Sequence, residues 1–287
     1  DPEVQVAINR VQSKEQVISV VEATRRNGIK SVSLDLIYGL PKQTKESFQR
    51  TIDEVIAILP ARIALYHYAH MPSQINSQRL IDESTLPSSG EKIAMFSETI
   101  SRLIDAGYIY IGMDHFALAD DSLAQALRNG GLQRNFQGYS THADCDIVGL
   151  GVSAISNVNA SFCQNTKSIS AYKEMLAKHM LPIEKGIILN KDDQIRAEVI
   201  QRLMCNGIVD YRKIDEQYHI HFKYYFHDEL LSLEQFTKDD LIEVSQTYFK
   251  VTERGRLFLR NIAMVFDIYL PKISLQKVSQ SSYSKTL

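Results

Sequence analysis

The stretch YIGMDHFA, Tyr110 to Ala117, sets Asp114 beside His115 at the end of an apolar run. A turn would favour Asn, Gly or Pro there. A strand that ends in Asp-His instead suits the catalytic mouth of a parallel barrel, with a simple turn cap as the plainer reading. Asp35, inside SLDLIYG, is a charge in a run that reads as buried, where it must bind something or accept structural hydrogen bonds. His67 and His70 in LYHYAHMP have a spacing open to a metal, but on a strand or loop that spacing is a weak signal. GLQRNFQGYSTHADCD adds Arg134, Gln137, Tyr139 and His142. Each of these residues has a plainer reading as a loop organiser or turn cap.

These side chains need elements to gather them. Ser13 and Gln16 read as a capping box for a helix that runs to Gly28. A buried strand follows at about Val32 to Ile37. Thr44 caps the next helix, with Phe48, Ile52, Val55, Ile56 and Leu59 at helical spacing. ARIALYHYAHMP is a second strand, a helix spans about Gly90 to Ala106, and YIYIG is a third strand. IVGLGVSAIS, 147–156, reads as a fourth buried strand. Alternating helices and doubly buried strands predict a parallel α/β sheet, too few in strands for a closed eight-stranded barrel. In such sheets ligands bind beyond the C-terminal strand ends, where Asp35 to Lys42, Tyr66 to His70 and Gly112 to His115 fall.

The pattern changes in the second half. A helix is expected at 168–179, a strand at PIEKGIILN, helices at 191–205, 213–218 and 222–236, a hairpin in DDLIEVSQTYFKVT and a terminal helix. This predicts a mainly helical, winged-helix-like domain. The expected division is 1–165 and 166–287, with a flexible tail from about 274.

The chain has 287 residues, 44% hydrophobic and 23% charged, with formal net charge −2. That balance gives no electrostatic case for nucleic acid or an anionic membrane. No apolar run nears the roughly 20 residues of a spanning helix. Cys145, Cys163 and Cys205 are scattered, which argues against a disulfide framework and for a reducing, cytoplasmic setting. An opening at Asp1 reads as a piece of a longer chain.

DLIYGLPKQT, LYHYAHMP, YIGMDHFA, LQRNFQGYST, DIVGLGVSAIS and TERGRLFLRNIAMVFDIYL together resemble the oxygen-independent coproporphyrinogen III oxidase family, also called coproporphyrinogen III dehydrogenases. These are radical S-adenosylmethionine (SAM) oxidoreductases of haem and porphyrin biosynthesis. The resemblance implies the C-terminal part of an incomplete parallel (β/α) barrel followed by a helical domain. It implies a 4Fe-4S cluster on a CxxxCxxC motif that this chain lacks, so no metal site is expected here. It implies that a SAM-derived 5′-deoxyadenosyl radical drives loss of CO2 from two propionates of coproporphyrinogen III, leaving the vinyl groups of protoporphyrinogen IX. By motif, Arg10, Asp35, Ala69 and Ile155 are the implied SAM contacts; Lys42 and Arg134 are candidates for substrate propionates. Asp114, His115 and Tyr139 are expected to line the same cavity. The expected partners are coproporphyrinogen III and an electron donor not identifiable from sequence, with no nucleic acid, no membrane and a monomeric protein. These 287 residues alone are expected to be inactive. A radical-SAM-like haem chaperone is the alternative reading. A nucleic-acid module and a zinc hydrolase using His67, His70, Asp114 and His142 are weaker ones.

Overall fold

The computed structural model describes residues 1–142 and 145–270. The tail expected from about 274 lies outside the described residues. The chain divides into two compact units, residues 1–129 and 130–270. The boundary expected at 165/166 falls inside the second of these.

In the first unit, helix α1 (Pro2–Ala7) precedes α2 (Lys14–Arg26), which Ser13 and Gln16 cap reciprocally as expected. Strand β1 (Ser33–Tyr38), helix α3 (Lys45–Ile58) and strand β2 (Arg62–His67) follow. Then come α4 (Ser89–Asp105), β3 (Tyr108–Gly112), β4 (His115–Leu118) and α5 (Ser122–Asn129). Thr44 with Ser47 and Ser88 with Glu91 cap α3 and α4, so both helices start where side chains meet otherwise orphaned N–H groups.

The sheet order is β1-β2-β4-β3. β1 and β2 are parallel, and β4 runs antiparallel to both β2 and β3. The expected parallel sheet is therefore corrected to a mixed one. YIGMDHFA turns back on itself at Met113 and Asp114, with Met113 at φ +48°. No Asn-Gly signal marked that hairpin. The Tyr110 hydroxyl donates to the Met113 carbonyl at 2.6 Å and closes the turn.

One face of this sheet is packed. Leu34, Leu36 and Tyr38 alternate with Ser33, Asp35 and Ile37, and the second set is exposed. Tyr38 stacks on Phe96 of α4 at 5.3 Å and meets Phe48 of α3 and His67. Burial of Asp35 is thus corrected: its strand is covered on the helix side only, and Asp35 points to the other.

In the second unit, hairpin β5 (Gln133–Asn135) and β6 (Gly138–Ser140) leads to antiparallel strands β7 (Ile155–Val158), β8 (Ser161–Asn165) and β9 (Ile183–Ile188), with α6 (Ile169–Ala177) between the last two. The expected strand at 147–156 is corrected: 147–154 is a loop, and residues 155–156 begin β7. Within the loop only Ile147 bridges, to Asn157, while Gly151 has φ +104° and Ser153 φ +58°. The Asn165 amide ties down the Gly149 and Gly151 carbonyls at 3.2 and 2.9 Å, and Val148 and Leu150 are exposed. The glycines serve the turn: a Cβ at Gly149 would lie 2.7 Å from the Ile155 carbonyl oxygen.

The remainder is α7 (Lys191–Asn206), β10 (Ile208–Asp210), α8 (Tyr211–Tyr218), α9 (Phe222–Tyr225), α10 (His227–Ser232), α11 (Glu234–Lys238), β11 (Ile242–Val244), β12 (Tyr248–Val251) and α12 (Leu259–Met264). The expected helix over 222–236 is broken into three pieces: Phe226 leaves helical geometry as its ring enters the core against Phe222 and Phe266, and a second break falls at the buried Leu233. The expected terminal helix begins as a 3-10 turn at Gly255–Phe258. Strands β10, β12 and β11 form an antiparallel sheet whose Phe249 stacks on Phe266. At the start of α7, Arg196 bonds Asp192 and Glu229, each at 2.8 Å, while Tyr225 and Tyr269 donate to Asp192 and Asp193.

Two predictions follow from this packing. A Cβ at Gly255 would overlap the Leu241 carbonyl oxygen and lie 2.9 Å from Val251. Gly255→Ala should lower unfolding free energy by roughly 1–3 kcal/mol in denaturant titration. His67 has its pKa lowered from 6.5 by burial and secondarily by the Lys92 charge, and its Nε2 is buried without a partner among the described residues. The unfolded chain therefore takes up a proton that the folded chain resists, and stability falls as pH drops through 6.5. Between about pH 7.5 and about pH 5.5 the wild type should lose more stability than His67→Phe.

Candidate functional site

Strand register builds the site. Asp35 of β1 pairs with Ala64 of β2, and Ala64 pairs with His115 of β4. Directly paired residues share a face, so Asp35, Ala64 and His115 form one row on the side of the sheet away from Tyr38. Two inter-strand steps separate the Cα atoms of Asp35 and His115 by about 10 Å. Ala64, between them, contributes a single methyl group. Tyr66 lies on the same face, and its ring meets His115 edge-on at 6.2 Å.

Asp114 is oriented by its position in the turn. Its carbonyl accepts from the Leu65 N–H at 2.6 Å, continuing the β2–β4 ladder. Its carboxylate lies 2.5 Å from His115 Nδ1, so Nδ1 is the nitrogen that carries a proton toward Asp114. The Asp114 charge also acts on Tyr38, whose phenol is pushed far up, first by burial and then by that carboxylate. Asp114 and His115 thus form an oriented carboxylate–imidazole pair beside Asp35's strand pair.

Beyond the strand ends, the loop after β1 is shaped by Gln43. Its Oε1 accepts from the Gly39 N–H at 2.6 Å and the Leu40 N–H at 3.2 Å, and its amide donates to the Ile37 carbonyl. Lys42 follows in a left-handed conformation, φ +62°, with its N–H on the Thr85 carbonyl and its side chain exposed. Ala69 is half-buried after β2, its carbonyl taken by the Gln78 amide at 2.9 Å. His70 is held between the Tyr68 hydroxyl and Glu83, which gives it a structural job. Among the described residues, no group of three or more His, Cys, Asp and Glu could hold a metal ion. Arg10 is exposed just after α1. Neither Arg10 nor Asp35 has a side-chain hydrogen bond or ion pair within the described residues, so both are available to a polar ligand. Gln43 was not anticipated; a buried Gln after a Gly-x-Pro turn was its only signal.

A cavity of about 410 Å³ opens at the other strand ends, lined in part by Arg25, Lys30, Leu118 and Asp121. Its main charges serve the fold: Arg25 donates to the Ile58 and Leu59 carbonyls, and Asp121 binds Arg62 and Ser31.

The second unit holds the other anticipated residues. Ile155 is half-buried at the start of β7. Arg134 lies over the Tyr139 ring, 5.5 Å from its centroid. Tyr139 is itself buried, with its hydroxyl donating to the Met204 carbonyl at 2.8 Å, so it serves as a fixed floor under Arg134. His142 is exposed. Cys205 is buried, and burial pushes its thiol up to about 12; Cys163 is half-buried in β8 and Cys145 exposed. These three thiols do not make the set an iron–sulfur cluster needs.

Comparison with known proteins bears on this arrangement. Residues 189–258 match the family model described as the HemN C-terminal domain. The chain is 47% identical over 280 residues to the oxygen-independent coproporphyrinogen III oxidase of Pseudomonas aeruginosa, covering 98% of this chain and 61% of that protein. It is 41% identical over 288 residues to the enzyme of the same name from Thermostichus vulcanus, covering 100% of this chain and 87% of that one. A solved structure of coproporphyrinogen III oxidase (HemN) from Escherichia coli, described as a radical SAM enzyme, superposes with TM-score 0.92 at 43% identity over 94% of this chain and 62% of that chain. The chain thus spans about three fifths of the length of the Pseudomonas and Escherichia relatives. With 41% identity across most of the Thermostichus protein, the chain belongs to the oxygen-independent coproporphyrinogen III oxidase family.

Proposed function

We propose that this chain forms the cofactor- and substrate-facing part of a radical SAM oxidoreductase that decarboxylates two propionates of coproporphyrinogen III to vinyl groups, giving protoporphyrinogen IX. The observation that carries this reading is the row Asp35–Ala64–His115 on the sheet face opposite Tyr38, flanked by the Asp114–His115 pair. In this reading β1, α3 and β2 belong to the family's incomplete barrel, residues 189–258 to its C-terminal domain, and the protein works as a cytoplasmic monomer with a separate electron donor.

The residues present suit SAM. An exposed, unpaired carboxylate at Asp35 can accept hydrogen bonds from a ribose or an ammonium group, and Arg10 can pair with the carboxylate of the methionine part. Ala69 and Ile155 would give apolar contacts to the adenosine. Bound SAM supplies abstraction of a hydrogen atom from the propionate side chain. The protein's own task is to hold that side chain still and to keep its carboxylate where CO2 can leave, the one electron left behind passing to an external one-electron acceptor. Asp114 fixes the His115 ring, and His115 is proposed to fix the substrate across the row from Asp35. Lys42 and Arg134 are proposed to receive the propionate carboxylates. The cluster cysteines would come from the part of the family's length that these residues do not span, so the 287 residues alone are expected to give no turnover.

Anaerobic incubation of the cluster-loaded, full-length protein with SAM, a reductant and coproporphyrinogen III should release CO2 and form protoporphyrinogen IX. Stoichiometric haem binding without any decarboxylation would overturn this reading in favour of a haem chaperone. Asp35→Asn should weaken SAM binding roughly tenfold or more, since a hydrogen bond to a charged group is worth about 1.5–3 kcal/mol. Its melting temperature should stay near wild type, because Asp35 is exposed. Asp114→Asn should reduce kcat more than it raises the KM for coproporphyrinogen III, because it removes the carboxylate that orients the His115 ring.

A further inference from the structure

We propose that Arg134, laid on the ring of Tyr139, is a binding site for a ligand carboxylate. Arg134 and Tyr139 are direct cross-strand partners in the β5–β6 hairpin. The guanidinium carbon lies 5.5 Å from the ring centroid, and the ring is pinned by its hydroxyl to Met204. The cation is therefore held in one place by groups that cannot neutralise it.

What is missing is an anion. Every other half-buried arginine among the described residues, namely Arg62, Arg102, Arg196, Arg202 and Arg256, is ion-paired with an acidic side chain. Arg134 has no ion pair and no side-chain hydrogen bond within the described residues, and its Nε is buried without a partner. Glu198, the carboxylate that shares the neighbourhood of Cys205 with Arg134, is committed to Arg202 at 2.6 Å. A guanidinium taken partly out of water with a donor left unmade costs free energy, and a planar carboxylate offsets that cost by accepting two parallel N–H bonds. The Tyr139 ring attracts the cation through its face but does not neutralise it, so the charge is left for an anion.

The inference rests on the proposed function for its ligand class. The carboxylate would be a propionate of the tetrapyrrole, and the methionine carboxylate of SAM is the other source of the same chemistry. Arg134→Gln and Arg134→Lys would be compared with wild type for binding of coproporphyrin III, the stable oxidised tetracarboxylate, and of SAM. Arg134→Gln should weaken coproporphyrin III by roughly tenfold or more, with Arg134→Lys between it and wild type and SAM affinity unchanged. Loss of SAM affinity instead would assign the same site to the cofactor's carboxylate. Affinities for both ligands within about twofold of wild type would overturn the site. Should the variants fold poorly, wild-type protein gives the answer: modification of Arg134 by an arginine-specific dicarbonyl, read by peptide mass spectrometry, should slow about tenfold under saturating coproporphyrin III or SAM. No slowing by either would also overturn it. Protection of Arg134 in a protein that forms no product from coproporphyrinogen III would leave the site standing and remove the proposed reaction.

Discussion

The register of three strands governs the first unit. Asp35, Ala64 and His115 come from segments far apart in sequence, yet hydrogen bonding through β1, β2 and β4 sets them side by side. A slip of one residue in either pairing would turn Asp35 or His115 to the opposite face. The helix-side core prevents that slip. Leu36, Tyr38, Ile63, Leu65 and Phe116 must all face α3, α4 and α5, and Tyr38 is locked between Phe48, Phe96 and His67. Apolar burial on one face thus fixes polar placement on the other.

The same division of labour appears within the second unit. Tyr139 is inaccessible and its hydroxyl is bound, yet that immobility is what holds Arg134 in place. Behind it, Phe222, Phe226, Phe249 and Phe266 form an aromatic core that ties α9, α10 and β12 to the end of the described chain. The Arg196 network joins α7 to α10, and its one guanidinium is paired with both Asp192 and Glu229. A paired guanidinium there and one without an acidic partner among the described residues at Arg134 are the contrast on which the carboxylate-site proposal rests.

The loop 147–154 has a different lesson. Its apolar residues Val148 and Leu150 are exposed and its glycines make turns, so an apolar run with glycines folded as a loop. Side-chain bonds from Asn165, Ser156 and Tyr172 to its backbone replace the ladder a strand would have made.

Helices were legible in the sequence because their caps and apolar spacing are local: Ser13 with Gln16, Thr44 before α3 and the Phe48–Ile52–Val55 stripe all act within a few residues. The motifs around Asp35, Asp114, His115 and Arg134 were legible as residue types and as a family resemblance. Strand direction was not. Nothing local distinguishes a strand that ends at Gly112 from one that turns at Met113 and pairs back, since the Met-Asp turn is held by Tyr110 and by the Leu65 N–H from another strand. The sequence by itself determined the elements and the chemistry available to them. Only the tertiary structure decided that Asp35 is exposed, that it shares a row with His115 and that Arg134 has no acidic partner among the described residues, because pairing partners and burial come from residues distant along the chain.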